Sequence, residues 1–284
     1  MTPLHLISLP LDLRSFRRWA AHRNLIEDEG AALHHLLGES FGKAALQPFR
    51  LMVAPGAANA TLYAYTKTDQ ASLVQTAQET GTPDALAVCD PIRLAAKVMP
   101  ATWTKDRRLA FDLRARPVKR LMRPAGVFPK GAEVDAFLVE ALRHHPDGPS
   151  PDEKIDRETV YRHWLAERLG EAATVTQARL VRLERSVASR NGKRCEGPDV
   201  TFHGELVIRD GDAFAERLGK GIGRHAAYGY GMLLLRPRPN VRCVVGGPPP
   251  ACIMSRVVPD GRHRASYMEG GPNGQYHVCW IGCA

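Results

Sequence analysis

A glycine-rich, basic stretch at residues 219–237 limits the possible folds of this chain more than any other segment. It contains five glycines and then runs into the apolar residues 232–235. Glycine adopts positive φ angles at little steric cost and lets the backbone approach a ligand closely. Successive N–H groups in such a loop can form a concave anion site. Because Lys220, Arg224 and His225 add basic side chains, the stretch predicts a phosphate-bearing ligand.

Nucleotide-binding motifs match this stretch poorly. Residues 221–226 imitate a dinucleotide fingerprint, but that motif needs a strand before the loop and a helix after it. Here a predicted helix precedes the loop and a predicted strand follows it, and the sequence contains no GxxxxGK[ST] motif. Two alternatives stay open at this point: a simple turn that joins the last helix to the last strand, and, with less support, a nucleotide-dependent enzyme.

The charge of the chain favours a polyanionic partner. The formal net charge is +9 over 284 residues, which is typical of proteins that bind nucleic acid or a membrane surface. Nucleic acid is favoured, because no apolar run is long enough to span a bilayer. The first residues lack the features of a signal peptide, so the six cysteines are expected to be reduced thiols in a cytoplasmic protein.

Hydrophobic periodicity predicts the same plan twice, in the order strand, helix, strand, strand, helix, strand. In the first half the strands are expected at residues 4–9, 49–54, 61–65 and 85–88, and the helices at 28–41 and 68–80. In the second half the strands are expected at residues 108–114, 174–187, 200–208 and 232–235, and the helices at 153–169 and 212–218. This is the ferredoxin-like plan, so the predicted fold class is α+β with two such domains in tandem.

The predicted domains are residues 1–100 and 101–237, followed by an extension at 238–284. The extension is rich in proline, glycine and arginine without a lasting period, which predicts disorder. Its cysteines and histidines match no zinc-finger spacing, and no carboxylate cluster has the spacing of metal ligands, so neither a metal nor another cofactor is expected.

Three groups of cations in the second predicted domain are candidates for phosphate contacts. They are Arg114, Arg116, Lys119 and Arg120 near its first strand, Arg190, Lys193 and Arg194 around an Asn-Gly turn, and Lys220 and Arg224 on the glycine-rich stretch. Within that first strand, Arg108, Asp112 and Arg114 alternate with apolar residues and are expected to face outward. Each cation taken singly is typical of a solvated surface, but together they predict a phosphate-tracking surface.

Two adjacent histidines on the first predicted helix are candidates for proton transfer. Helical spacing places His34 at the flank of the apolar face and His35 nearly opposite. Histidine titrates near neutral pH and can accept or donate a proton. Spacing alone favours a structural role for a partly buried histidine, so the residue pattern by itself leaves both alternatives open.

The sequence resembles a known family at three places, in order, over residues 3–237. They are LRARPVKR at 113–120, GIGRHAAYGYGMLL at 221–234 and Leu33-His34. This is similar to the CasE family of CRISPR repeat-processing endoribonucleases, the RNA-cutting subunit of the Cascade surveillance complex. The resemblance implies tandem ferredoxin-like domains, in agreement with the plan above. It also implies catalysis by His34, with His35 as the alternative, and a glycine-rich loop built on Gly221, Gly223, Gly229 and Gly231.

The resemblance implies cleavage of a repeat hairpin in precursor RNA without metal. The 2′-OH of the RNA would be the nucleophile, and the products would carry a 2′,3′-cyclic phosphate and a 5′-OH. The enzyme would stay bound to its product alongside other Cascade subunits, away from membranes. One departure is Ala31, where members of the family often carry a tyrosine. It keeps open the alternative of a non-catalytic RNA-binding subunit.

Overall fold

The computed structural model of the protein describes residues 2–144, 155–190 and 193–237. The predicted extension at 238–284 lies outside the described residues. The described strands are β1 (His5–Asp12), β2 (Phe49–Val53), β3 (Asn59–Thr66), β4 (Ala95–Val98), β5 (Arg108–Ala115), β6 (Val118–Arg120), β7 (Glu133–Asp135), β8 (Ala173–Arg190), β9 (Lys193–Ile208) and β10 (Leu233–Pro237). The described α-helices are α1 (Leu13–His22), α2 (Glu29–Phe41), α3 (Gln70–Thr80), α4 (Pro83–Leu86), α5 (Ala136–His144), α6 (Arg157–Leu169) and α7 (Gly211–Lys220).

The first half of the chain forms a four-stranded antiparallel sheet with the order β2-β3-β1-β4. Strand β1 alternates between buried and half-exposed residues along its whole length, as expected for a strand with one face on a core. The buried residues of β1 pack with the apolar faces of α2 and α3 in one hydrophobic cluster. This core holds α2 against the sheet and fixes which of its residues stay near the surface.

The second half repeats this topology with the order β10-β5-β9-β8. When only the four strands of each of these two sheets are numbered in chain order, both sheets read fourth, first, third, second. The predicted α+β fold of two ferredoxin-like units in tandem is therefore confirmed. The predicted boundary near residue 100 falls between β4 and β5, but residues as far as Arg236 cluster as one compact unit. The domain limits stay a prediction.

One predicted strand of the first half is wrong. The apolar run at residues 85–88 begins in helix α4, with Pro83 in its first turn, and the closing strand is β4, for which the sequence predicted no element. Ala85 and Val88 are buried in the core, so their apolar character reflects burial alone. A short apolar run does not distinguish a strand from a buried helix.

The sequence also missed structure in both halves. The basic segment near the N-terminus forms α1, with Asp12 as its N-cap. Strands β6 and β7 pair as a hairpin, followed by α5, in a stretch for which neither a strand nor a helix was predicted. Helix α6 begins later than predicted, because the Asp156 carboxylate accepts hydrogen bonds from the backbone N–H groups of Glu158 and Thr159 and caps it. Among the described residues, no helix is both long and apolar enough to cross a membrane.

Candidate active site at the glycine-rich loop

Helix α2 presents the two candidate histidines differently, as helical spacing predicted. The helix starts where the Asp28 carboxylate accepts a hydrogen bond from the N–H of Ala31 at 2.9 Å. It ends at Gly42, whose φ of +89° suits glycine. Leu33, one residue before the first histidine, belongs to the core. His34 is half-buried at the edge of that core, whereas His35 is exposed.

All four glycines of the predicted loop adopt positive φ, between +79° and +85°, as their residue type predicted. Their lack of side chains also permits close packing. A Cβ on Gly223 would lie 2.9 Å from the ring of Trp164, and one on Gly229 would lie 3.2 Å from Phe49. The loop therefore approaches protein groups from both halves of the chain, with α6 on one side and β2 on the other.

The glycine-rich loop meets α2 at His34. The imidazole and the Tyr228 ring lie with their centroids 5.2 Å apart. One helical turn earlier, a Cβ on Gly30 would lie 2.7 Å from the carbonyl oxygen of Tyr228, so α2 packs tightly on the loop at this point. The His35 ring is 5.7 Å from that of His34. The structure thus brings the candidate histidine and the candidate loop into direct contact.

The surroundings of His34 favour its neutral form. Burial lowers the pKa of His34 below its ordinary value, and the nearby charges of His35 and Lys43 lower it further. The backbone of Ala227 acts in the opposite direction but with smaller effect. The Nδ1 atom is buried and makes no hydrogen bond to any described residue. A neutral imidazole can accept a proton, which is the property that a general base requires.

Glu133, on β7, holds the basic part of the loop. Its carboxylate lies 2.7 Å from the guanidinium of Arg224 and 2.9 Å from Nε2 of His225. Burial alone would raise the pKa of Glu133, but the hydrogen bonds and charges of His225 and Arg224 outweigh it and hold the pKa below its usual range. A carboxylate 91 residues earlier in the chain therefore holds both Arg224 and His225, and the His225 ring lies 6.2 Å from that of Tyr228.

Two of the arginines predicted to contact RNA instead make hydrogen bonds within the protein. Arg114 forms a two-pronged pair with Asp199 and stacks over Tyr230. Arg116 is only 2% exposed, and its guanidinium donates hydrogen bonds to the side chain and carbonyl of Ser186. The outward orientation expected for Arg114 is wrong, because this face of β5 is covered. Because the Arg116 guanidinium is buried, it lies out of reach of an RNA phosphate in solvent. Its role is to hold strand β8 through Ser186.

The other predicted cations lie at separate places. Lys119 pairs with Glu167 at 3.2 Å, and Lys220 pairs with Glu216 one helical turn away. Arg120 is exposed and lines a cleft of about 420 Å³ with Arg123 and Arg143. At the hairpin tip, Arg190 pairs with Lys193, and Arg194 pairs with Ser189, in the β8–β9 ladder. The side chains of Arg190, Lys193 and Arg194 lie outside the described parts of the chain.

A larger cleft, of about 550 Å³, opens between the start of α2, strand β8 and the loop. Its lining includes Glu27, Glu29, Arg114, Val187, Tyr228 and Tyr230. Sequence reasoning missed Tyr228 and Lys43 as neighbours of the histidine, because neither stands at a spacing that marks it. Within the described residues no group of three or more His, Cys, Asp or Glu side chains is placed to hold a metal ion.

The described chain thus combines two ferredoxin-like units with a histidine on a helix that packs against a glycine-rich loop. The chain belongs to the CRISPR associated protein family, whose profile matches residues 4–237. Among solved structures it is similar to Cse3 of Thermus thermophilus bound to an RNA that represents a pre-cleavage complex. The identity is 20%, with 83% of this chain and 100% of that chain covered and a TM-score of 0.57.

Another similar structure is Cas6e of Escherichia coli strain K-12. The identity is again 20%, with 82% of this chain and 100% of that chain covered and a TM-score of 0.50. At this level of identity the likeness concerns the fold. A comparison with curated protein sequences found no match.

Proposed function

We propose that this chain is a metal-independent endoribonuclease that cleaves CRISPR repeat hairpins in precursor RNA. Membership of the CRISPR associated protein family supports this, as does the fold shared with Cse3, which is described as an endoribonuclease in complex with RNA. The observation that carries the proposal is the position of His34. Its half-buried ring lies 5.2 Å from the Tyr228 ring of the glycine-rich loop, where the two halves of the chain meet.

The reaction uses the RNA itself as the nucleophile. The 2′-oxygen forms a bond to the adjacent phosphorus while the bond from phosphorus to the 5′-oxygen breaks. A base removes the proton of the 2′-OH, an acid protonates the departing 5′-oxygen, and cations stabilise the charge that develops on the phosphorane. The products carry a 2′,3′-cyclic phosphate and a 5′-OH, so all atoms and protons balance without a metal ion.

His34 fits the role of the base. Its lowered pKa leaves the imidazole neutral at physiological pH, and its place at the edge of the core holds the ring in one orientation. Lys43 is exposed and close enough to lower the pKa of His34, so it is suited to stabilise negative charge on the phosphorane. The acid for the 5′-oxygen has no assigned side chain in this proposal.

Exposed cations supply the binding energy for the RNA. Lys220 and Arg120 reach solvent, and the Arg224 side chain on the loop is 38% exposed. Double-stranded RNA is held mainly through its phosphates and its shape, so such cations retain the hairpin after cleavage. In this proposal the protein keeps its product and joins other subunits of a surveillance complex.

Cleavage of a CRISPR repeat hairpin RNA tests the proposal. The reaction is run in EDTA with wild type, His34→Ala and the neighbouring control His35→Ala. We expect wild type and His35→Ala to cut at one position, and His34→Ala to lose about 10²- to 10⁴-fold in rate, the usual contribution of a general base. RNA affinity should be retained in all three. Cleavage by His34→Ala at the wild-type rate would refute the assignment.

The second candidate is an RNA-binding subunit without turnover. The observation that favours it is Ala31, three residues before His34 on α2, which offers no hydroxyl where the similar family often has a tyrosine. In that case the wild-type protein binds the hairpin tightly in EDTA but leaves it intact.

A further inference from the structure

The 550 Å³ cleft beside the candidate active site has a composition that suits a nucleobase better than a phosphate. Its walls include the Tyr228 ring and the Val187 side chain, and its rim carries the carboxylates of Glu27 and Glu29. A phosphate in this cleft would be repelled by the rim carboxylates. The Arg114 side chain, which also lines the cleft, is already paired with Asp199 beneath it.

Tyr228 is held so that its ring serves both the active site and the cleft. The short turn that carries it, Ala226–Tyr228, lies between His225 and Gly229, both in the left-handed conformation. The N–H of Tyr228 donates to the carbonyl of His225 at 2.9 Å, and Glu133 holds His225 in turn. The ring contacts His34 and also lines the cleft. Its hydroxyl makes no hydrogen bond to any described residue.

Glu29 gives the cleft a polar acceptor. Its side chain is about half exposed and lies 3.9 Å from Arg114, a distance too long for a hydrogen bond. A carboxylate at this position can accept hydrogen bonds from an exocyclic amino group, as acidic side chains do with cytosine in nucleic-acid recognition. Adenine and guanine carry amino groups as well, whereas uracil does not.

We propose that this cleft binds one unpaired nucleobase next to the scissile linkage, stacked on Tyr228 and read by Glu29 through its amino group. The proposal rests on the proposed function, because it places the scissile phosphate beside His34. Unstacked bases are the part of an RNA that proteins bind on aromatic rings. The stacked base would anchor the strand one nucleotide away from the imidazole, so Tyr228 acts as a substrate-positioning residue that touches the RNA.

The test uses the same hairpin RNA with a 2′-deoxynucleotide at the scissile position, so that it binds without being cut. 2-Aminopurine replaces each base near that position in turn, and its fluorescence reports stacking. With wild type and Tyr228→Phe we expect strong quenching at one position. With Tyr228→Leu, which keeps an apolar side chain but cannot stack, we expect the quenching to disappear. Its affinity should fall by about 5- to 150-fold, corresponding to ~1–3 kcal/mol.

A second variant tests the cleft independently of the ring. Glu29→Gln should reduce the preference for an amino-bearing base over uracil at the quenched position. Wild-type quenching and affinity in Tyr228→Leu would overturn the proposal, as would the absence of quenching at every position. Either outcome refutes the stacking site alone, because it leaves the proposed cleavage by His34 untouched. Failure of wild type to bind the hairpin would instead refute the proposed function.

Discussion

The replacement Asp199→Asn should destabilise the protein more than most single substitutions. The Asp199 carboxylate is 2% exposed and accepts from Nε of Arg114 at 2.9 Å and from Nη2 at 2.5 Å. The Tyr230 hydroxyl donates to the same carboxylate at 3.1 Å. Asparagine keeps the shape of the side chain but removes the charge and turns one acceptor into a donor. The Arg114 guanidinium, which is 18% exposed, would then have only the half-exposed Glu29 carboxylate, 3.9 Å away, as a nearby anion.

Breaking a buried ion pair by removing one charge costs about 3–5 kcal/mol. In a unit of this size each kcal/mol lowers Tm by roughly 2–4 °C, so the expected decrease in Tm is about 6–20 °C. The loss should depend on pH. Burial alone would raise the pKa of Asp199, but the Arg114 hydrogen bonds and charge outweigh it, and the pKa lies below its usual value.

A lowered pKa means that the ion pair stabilises the fold above the unfolded pKa of about 3.9 and loses its effect as pH falls through the folded value. The difference in Tm between wild type and variant should therefore be constant from pH 7 to about pH 5 and shrink in stronger acid. Differential scanning calorimetry over this range measures it. The control is Glu184→Gln, which breaks the half-exposed pair with Arg182 and should leave Tm almost unchanged. A decrease of less than about 2 °C for Asp199→Asn would refute the reasoning.

Three further predictions concern the loop and the RNA. The cleavage rate should stay at its plateau as pH is lowered past the ordinary histidine pKa of about 6.5, because the pKa of His34 is lowered; a pH–rate profile that declines already above pH 7 would contradict this. Gly231→Ala should destabilise by at least about 1–2 kcal/mol in denaturant unfolding, since φ is +79° and the Cβ would lie 2.6 Å from the carbonyl oxygen of Ile222. The same change at Gly38, a helical position with open space, should stabilise by about 0.5–1 kcal/mol, so equal effects would refute the packing argument. Affinity for the hairpin should fall more than about tenfold between 50 and 200 mM salt, and a flat response would exclude a phosphate-tracking surface.

The proposed site also explains why the glycine-rich loop needs so many glycines. The sequence suggested that their backbone approaches a phosphate. The structure shows that the close approaches are to Phe49, Trp164 and the backbone of Ile222. The Tyr228 side chain is then left at the edge of the cleft and beside His34, while Arg224 pairs with Glu133. In this arrangement the glycines position the loop, and its other residues meet the ligand.

Local pattern was sufficient for most of the architecture. Alternation predicted β5, whose Leu109, Phe111 and Leu113 are buried, and helical spacing predicted the half-buried His34 and the exposed His35. The glycine content of the loop predicted its positive φ angles. Each of these features depends on the preferences of neighbouring residues along one element, which is information that a sequence contains directly.

The tertiary structure decided which polar faces meet water. Asp112 was expected to face outward on β5, but it is 4% exposed, and Arg50 from the first half lies 3.4 Å from its carboxylate. Arg114 is covered in the same way by Asp199, from a strand 85 residues later. Alternation along one strand predicts that its polar residues face solvent, because it contains no information about what packs on that face. Here the charges of Asp112 and Arg114 are covered by partners distant in the chain. The contact between His34 and Tyr228 has the same origin, so the sequence contained both residues of the candidate site but only the packing of the two halves joined them.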